Sequence, residues 1–404
     1  MATTLLYHRD PHLLHFAAVV VGHGAWQGRP SLLLDETAFY PEAGGQMADR
    51  GVLAGLPLVD AQVDDVGVVH HVVDGLLPAV GARVEGTVDG ARRRQHMAQH
   101  TAQHMLSSAL LAGHGRAETV SSRLGENVCT IDVDVSALSE RSLREAEDLV
   151  NATIEQDHSV TAFFPDEATL ATLPLRRRPK VTENIRVVVV GDLAAPFDVS
   201  PCGGTHVTRT SQIGLVRITG VEKYKGMTRV SFQAGSRARR EAFARAGLLE
   251  ELGRGLSATP EEVPAQLEKL RATIKGLQAD KVALATRVGA LLGEALAARS
   301  GDANVVVELV DGADMDLLRA VAVRAIALAP GLAVVVAGRD ADGGGNVVVS
   351  RGTGSVVDCG ALLKRLVTTH GGKGGGKAET AQGRLGDVDA TALTATTMAF
   401  VGST

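Results

Sequence analysis

Three imidazoles recur at i, i+4 and i+8 in His96-Met-Ala-Gln-His100-Thr-Ala-Gln-His104. On a helix this spacing stacks them along one face, within reach of a single ion. Much later, Cys202-Gly-Gly-Thr-His206 separates a thiol from an imidazole by small residues. Such residues let the backbone curl until both side chains meet one metal. Taken together, His100, His104, Cys202 and His206 read as a zinc site. Either pair alone is a weak signal. The joint case is stronger because the chain of 404 residues has three cysteines, and one of them stands four residues before a His in a Gly-rich turn. Peptidase chemistry is disfavoured: the pair His100-Thr-Ala-Gln-His104 lacks the Glu that serves as general base in HExxH.

A helix over about 93–111, stopped by Gly113, must carry the first two ligands. The second pair follows the apolar run Asn184–Gly191, which reads as a buried strand feeding a tight turn. Around them the pattern predicts an α+β multidomain chain. Residues 1–90 alternate short Val/Leu-rich runs with Gly- and Asp-containing turns, which suits a small β-barrel. Residues 91–236 form the α+β zinc-binding domain, with a strand pair over 120–133 and an amphipathic helix over 138–157. Cys129 sits in an apolar run and reads as a buried small hydrophobe.

Residues 237–299 are helical, with a break at Ser257-Ala-Thr-Pro260. There Leu267, Leu270, Ile274, Leu277, Lys281, Leu284, Val288 and Leu291 alternate steps of three and four, a coiled-coil seam with one polar interruption. A helical hairpin that also helps to make a homodimer is expected. Residues 300–404 alternate strands and helices as a separate α/β domain containing the Gly-rich run 371–383. Its glycines with Lys373 and Lys377 suit backbone amides meeting a phosphate. A Walker A loop is excluded, because Ala follows Lys377.

Composition narrows the partners. The net charge is −5, so RNA binding would rest on local patches: Arg92-Arg93-Arg94, Arg176-Arg177-Arg178, Lys223 to Arg229, and Arg237 with Arg239-Arg240. Aromatic residues make up 3%, which leaves few platforms for base stacking. An odd number of cysteines suits a reducing compartment. No signal peptide is expected at the N-terminus, and the most apolar window, 317–338, is broken by Arg319, Arg324 and Pro330. A cytoplasmic protein with no membrane segment is the expectation.

Thr37-Ala-Phe-Tyr-Pro-Glu-Ala-Gly-Gly-Gln46, His100-Thr-Ala-Gln-His104 and Cys202-Gly-Gly-Thr-His206-Val resemble, in order, the three signatures of the alanyl-tRNA synthetase editing domain. That domain also exists free-standing in the AlaX family of alanyl-tRNA editing proteins. The resemblance runs over nearly the whole chain and points to the family's long form. It implies zinc-dependent hydrolysis of the ester in mischarged Ser-tRNA(Ala), with Gly-tRNA(Ala) as a further substrate. Thr37 matches the residue that recognises the serine hydroxyl, and Gln46 the Gln beside the scissile ester. Arg94, Lys223, Lys225 and Arg229 are then placed for tRNA, and the Lys373/Lys377 run resembles the C-terminal domain shared with DHH phosphoesterases. His96 is expected behind the ligands or facing tRNA. Gln103 departs from the synthetase pattern, which usually has Thr there. The Thr37 loop lies too near the first residue for a preceding aminoacylation core, so correction of tRNA is expected and charging is not. Two rivals are a non-catalytic RNA-binding protein with a structural zinc and a phosphoesterase. The second requires a DHH triplet, and the nearest match is Asp157-His158-Ser159.

Overall fold

The computed structural model describes residues 2–179 and 181–402. They divide into two compact units, Met1–Glu250 and Glu251–Thr404.

The first unit begins with eight strands: β1 (Thr4–Leu5), β2 (His15–Trp26), β3 (Arg29–Leu34), β4 (Glu36–Thr37), β5 (Gly51–Leu53), β6 (Leu56–Val63), β7 (Val69–Val73) and β8 (Arg83–Val88). Six of them close into a barrel in the order β2-β3-β7-β6-β5-β8. Along β8 every second residue is buried, so Val84 and Val88 face the interior while Arg83, Glu85 and Thr87 face solvent. Ala18, Val20, Leu32, Leu34, Leu53, Leu58 and Val69 fill the same core. Outside the barrel, β1 pairs parallel with β4 and sets Leu5 opposite Thr37.

Helix α1 (Gly90–His114) follows, then β9 (Thr119–Leu124), β10 (Cys129–Val133), α2 (Glu140–Glu155), β11 (Val160–Phe163), α3 (Glu167–Thr172), β12 (Val187–Asp192), β13 (Ala195–Pro201), β14 (Val216–Tyr224), β15 (Met227–Ala234) and α4 (Gly235–Gly255). Two sheets form, ordered β14-β15-β10-β9 and β11-β12-β13. The Asp89 carboxylate caps α1 by accepting from the Ala91 and Arg92 N–H groups. The helix passes the expected stop at Gly113 and ends at Gly115, which is left-handed (φ 75°). Its Met97, Ala102, Met105 and Leu106 share one core with Leu124 and Ile131 of the first sheet, Val188 and Val190 of the second, and Val150 and Ile154 of α2. Packed on several sides, α1 holds its histidines rigidly. Cys129 is wholly buried in β10, where burial pushes its thiol up to about 12.

The second unit contains α5 (Val263–Ser300), β16 (Val305–Leu309), α6 (Met315–Leu328), β17 (Ala333–Ala337), β18 (Gly345–Arg351), α7 (Cys359–His370), β19 (Gly372–Gly376), β20 (Thr380–Leu385) and α8 (Ala390–Val401). The strands form one sheet, β16-β17-β18-β20-β19. Alternation along β17 sends Val334 and Val336 into a core with Leu318, Val321 and Ala325 of α6. Ala333, Val335 and Ala337 point the other way, towards Leu362, Leu363 and Leu366 of α7 and Leu393 of α8.

The Gly-rich run supplies the edge strand β19 (Gly372–Gly376) and continues through a turn into the antiparallel β20. The seam residues of α5 are not buried in a helical hairpin. Leu267, Leu270, Ile274, Leu277, Leu284, Val288 and Leu291 are between 41% and 68% exposed, and Lys281 makes an ion pair with Asp314 at 2.6 Å. Among the described residues, no helix is long and apolar enough to cross a membrane.

Candidate metal centre

One turn of α1 separates His100 from His104, and their ring centroids lie 5.2 Å apart. Strand β13 ends at Pro201 and delivers the Cys202 turn to the same place. The Cys202 Sγ lies 3.3 Å from His100 Nε2 and 3.3 Å from His206 Nε2. The donor atoms of His100, His104, Cys202 and His206 all fall within 4.8 Å of one another, so this group could hold a metal ion.

The turn is fixed from behind by Arg186 in the loop before β12, whose Nη1 donates to the carbonyls of Cys202 (3.1 Å) and Gly204 (2.9 Å). The Gly204 N–H points at Cys202 Sγ, 3.4 Å away. A side chain at Gly204 would run into the His100 ring, which is why the turn needs glycine there.

Each imidazole is oriented through its other nitrogen. Gln46 Nε2 donates to Thr205 Oγ1 at 2.8 Å, and its Oε1 accepts from Thr205 N–H and from His100 Nδ1 at 2.7 Å. Asp198 Oδ2 accepts from His104 Nδ1 at 3.1 Å, and Arg176 holds its other oxygen at 2.5 Å. Thr101 spends its hydroxyl hydrogen on the Met97 carbonyl and so accepts from His206 Nδ1 at 3.1 Å. With acceptors on all three Nδ1 atoms, the hydrogens sit there and the three Nε2 lone pairs are left for a ligand. Three neutral imidazole nitrogens and a thiolate, each braced from outside, fit a tetrahedral zinc.

The electrostatics support the thiolate and a neutral His206. Burial opposes ionisation of Cys202, but His100, His206 and His104 beside it hold its thiol well below the usual range. Burial pushes His206 down to about 3, with His100 adding to the effect. For His104 burial acts in the same downward sense, but Cys202 and Asp198 outweigh it and the net shift is upward.

The other candidate residues are placed as follows. Gln46 is fully buried against His100, where it orients a candidate metal donor. Thr37 is also fully buried; its Oγ1 accepts from the Phe39 N–H at 3.1 Å and lies 2.8 Å from His71 Nε2. His96 lies outside the set of four. It is buried with its Nδ1 unpartnered, and burial followed by Arg92 and Arg237 pushes it down to about 3. The Arg92-Arg93-Arg94 patch splits: Arg93 is wholly buried on Asp49, Arg92 meets Ala48 and Glu126, and Arg94 is exposed at a cleft of about 650 Å³ with Arg239. Lys223 and Lys225 are exposed, whereas Arg229 is held by Asp132 at 2.7 Å and lies over the Tyr224 ring. Lys373 and Lys377 are exposed on and just after β19.

Sequence reasoning missed Asp198, Thr101, Thr205, Arg186 and His71. Thr101 and Thr205 directly adjoin candidate ligands, and an acid between the apolar Phe197 and Val199 of β13 was a readable signal for Asp198.

The description "Threonyl and Alanyl tRNA synthetase second additional domain" matches residues 185–231, and the DHHA1 domain matches residues 302–398. An alanine–tRNA ligase of Pyrococcus abyssi is 32% identical over 401 residues, covering 96% of this chain and 42% of the ligase. That of Halobacterium salinarum is 34% identical over 410 residues, covering 94% and 42%. The chain thus spans well under half the length of these ligases. A protein of Pyrococcus horikoshii named alanyl-tRNA editing protein AlaX-L is 28% identical over 397 residues, covering 94% of each chain.

Proposed function

We propose, from a chain that carries the synthetase second additional domain and the DHHA1 domain and is related to alanyl-tRNA ligases and to an AlaX-L editing protein, that it deacylates mischarged tRNA. The observation that carries the reading is the set of three imidazoles whose Nδ1 atoms are all engaged, leaving three Nε2 lone pairs and the Cys202 sulfur to converge. The ion is zinc, held by His100, His104, Cys202 and His206. When bound, zinc polarises the ester carbonyl, lowers the pKa of a water or orients the substrate.

The chain's own residues bind and orient. Cys202 keeps some exposed surface while the three histidines are buried, so the ester approaches from the cysteine side. Gln46, Thr101 and Asp198 keep the imidazoles aimed during that approach. His71 Nδ1 donates to the Leu32 carbonyl at 3.1 Å, so its Nε2 accepts the Thr37 hydroxyl hydrogen. What Thr37 has left is a lone pair, so a serine hydroxyl would donate to it and an alanine methyl could not. Thr37 has no exposed surface, so this contact requires the 37–46 loop to open. Ser-tRNA(Ala) is the substrate on this reading and Gly-tRNA(Ala) a further one, acted on in the cytoplasm. Arg94, Lys223, Lys225, Lys373 and Lys377 supply exposed positive charge for tRNA, and α5 supplies a surface for self-association.

A second reading has support from one observation: four protein donors already fill a tetrahedral shell, as structural zinc requires. Deacylation of Ser-tRNA(Ala) and Ala-tRNA(Ala) by zinc-loaded protein separates the two. Serine is released and alanine retained if the chain edits; Thr37→Val then loses the discrimination, and Gln46→Ala weakens zinc binding about 10- to 100-fold. Retention of both amino acids by the loaded protein would favour the structural zinc.

A further inference from the structure

We infer that Phe164 and His8, beside the Cys202 turn, are the platform on which the terminal nucleobase of the charged RNA stacks, with Arg177 meeting that nucleotide's phosphate. This rests on the editing reading and names the part of the substrate next to the ester. The amino acid is esterified to a ribose that also carries a base and a 5′-phosphate. A protein that holds the ester at Cys202 therefore meets a flat π-face and an anion within one nucleotide's span. The chain places one group suited to each there.

Phe164 follows β11 and is 52% exposed, in a chain whose aromatic content is only 3%. A single exposed apolar side chain is ordinary in itself; the place of this one gives it meaning. Its ring meets His8 edge-on, with centroids 5.7 Å apart at 63°. His8 is tied to the metal-site turn, since its Nε2–H donates to the Gly203 carbonyl at 3.0 Å, one residue from Cys202. Behind His8 the row continues to Tyr7 at 4.7 Å and from there to Tyr40 at 5.3 Å, both buried. The aromatic row is thus anchored at its buried end and open at Phe164. Burial lowers the His8 pKa, which keeps the ring uncharged at neutral pH and suited to packing on a base.

Arg177 completes the set. It is exposed, its Nη2 lies 3.5 Å from the Pro201 carbonyl immediately before Cys202, and among the described residues it has no carboxylate partner. Neighbouring Arg176 is engaged with Asp198 and Arg186 is buried under the turn; Arg177 and Arg178 both face solvent, and Arg177 is the one whose guanidinium reaches the Pro201 carbonyl beside Cys202. Stacking on an aromatic face accepts any base and an arginine meets a phosphate, the combination used for single-stranded RNA ends.

The test uses zinc-loaded full-length protein and two non-hydrolysable probes. One is 3′-deoxy-3′-(serylamino)adenosine 5′-phosphate; the other is the same ribose phosphate without the base. The expected result is that wild type binds the adenine probe about tenfold or more tightly than the base-free one, the usual worth of one stacked base. Phe164→Leu, which keeps apolar bulk and removes the π-face, abolishes most of that ratio and leaves base-free binding unchanged. Arg177→Gln weakens both probes and leaves the ratio intact. Equal binding of the two probes by wild type, or an unchanged ratio in Phe164→Leu, overturns the subsite while the editing reading stands. Failure of wild type to bind either probe or to deacylate Ser-tRNA(Ala) overturns both together.

Discussion

Two histidines outside the metal centre show how burial fixes what a residue does. His71 is fully buried and donates from Nδ1 to Leu32, and His96 is buried with Nδ1 unpartnered. Burial pushes His71 down to about 4, against 6.5 for a free imidazole. Between those values the unfolded chain takes up a proton that the native state refuses. Stability is therefore full above about pH 6.5, falls as pH drops towards 4, and levels off below that. The shift is worth on the order of 3 kcal/mol at its full extent. Urea denaturation at pH 7 and pH 4.5 measures it: His71→Gln is less stable than wild type at pH 7, but loses about 2 kcal/mol less on acidification. Equal acid losses in the two proteins would show that His71 is protonated in the native state and that Thr37 is not its hydrogen donor.

The metal-site residues depend on a clamp between elements. Asp49 and Arg93 are both fully buried, and Asp49 also accepts from the Tyr40 N–H at 2.7 Å. Arg93 Nη1 reaches the Pro11 carbonyl at 2.8 Å and Nη2 the Ala38 carbonyl at 2.5 Å. The first turns of α1 thereby hold the 38–49 segment, which carries Gln46 to His100. Removing one charge of such a pair leaves the other buried and uncompensated, at about 3–5 kcal/mol. Asp49→Asn should lower unfolding free energy by about that amount and weaken zinc binding through the loosened Gln46, read by denaturation and by competition with a chromogenic chelator. This clamp also marks where sequence reasoning stopped. The four candidate ligands were legible because their spacing is local, i, i+4 on a helix and Cys-x-x-x-His in a turn. Arg93 was read as part of a surface patch because its partner lies 44 residues away, and charge alone does not say which arginine of three turns inward. The β19 strand was not legible for a related reason. A strand without side chains has no period-two pattern, and its glycines reflect proximity: a Cβ at Gly376 would strike Ala381 on the neighbouring strand.

For the molecule as a whole, the unresolved demand is the long helix of the second unit. Only Gly289, Gly293, Leu296 and Ser300 of α5 are buried, all near its C-terminal end. The row from Leu267 to Leu291, most of it ahead of them, keeps its alternation of three and four, and its apolar members remain 41–68% exposed. Propensity does not require apolar residues at those steps, since polar helix formers would serve a solvated helix equally well. Apolar side chains at a/d spacing gain free energy only when a second helix interdigitates with them. Lys281 breaks the row at one step, and its ion pair with Asp314 keeps the ammonium off the apolar stripe. Pairing of two α5 helices is therefore expected, with the polar step setting their register. Sedimentation of wild type at micromolar concentration should give a dimer, and Leu277→Glu with Leu284→Glu should give a monomer, because two buried carboxylates per strand cannot be accommodated in the seam. Zinc content should not change, since no metal donor lies in α5. A wild type that sediments as a monomer throughout would mean that the row serves another partner or none.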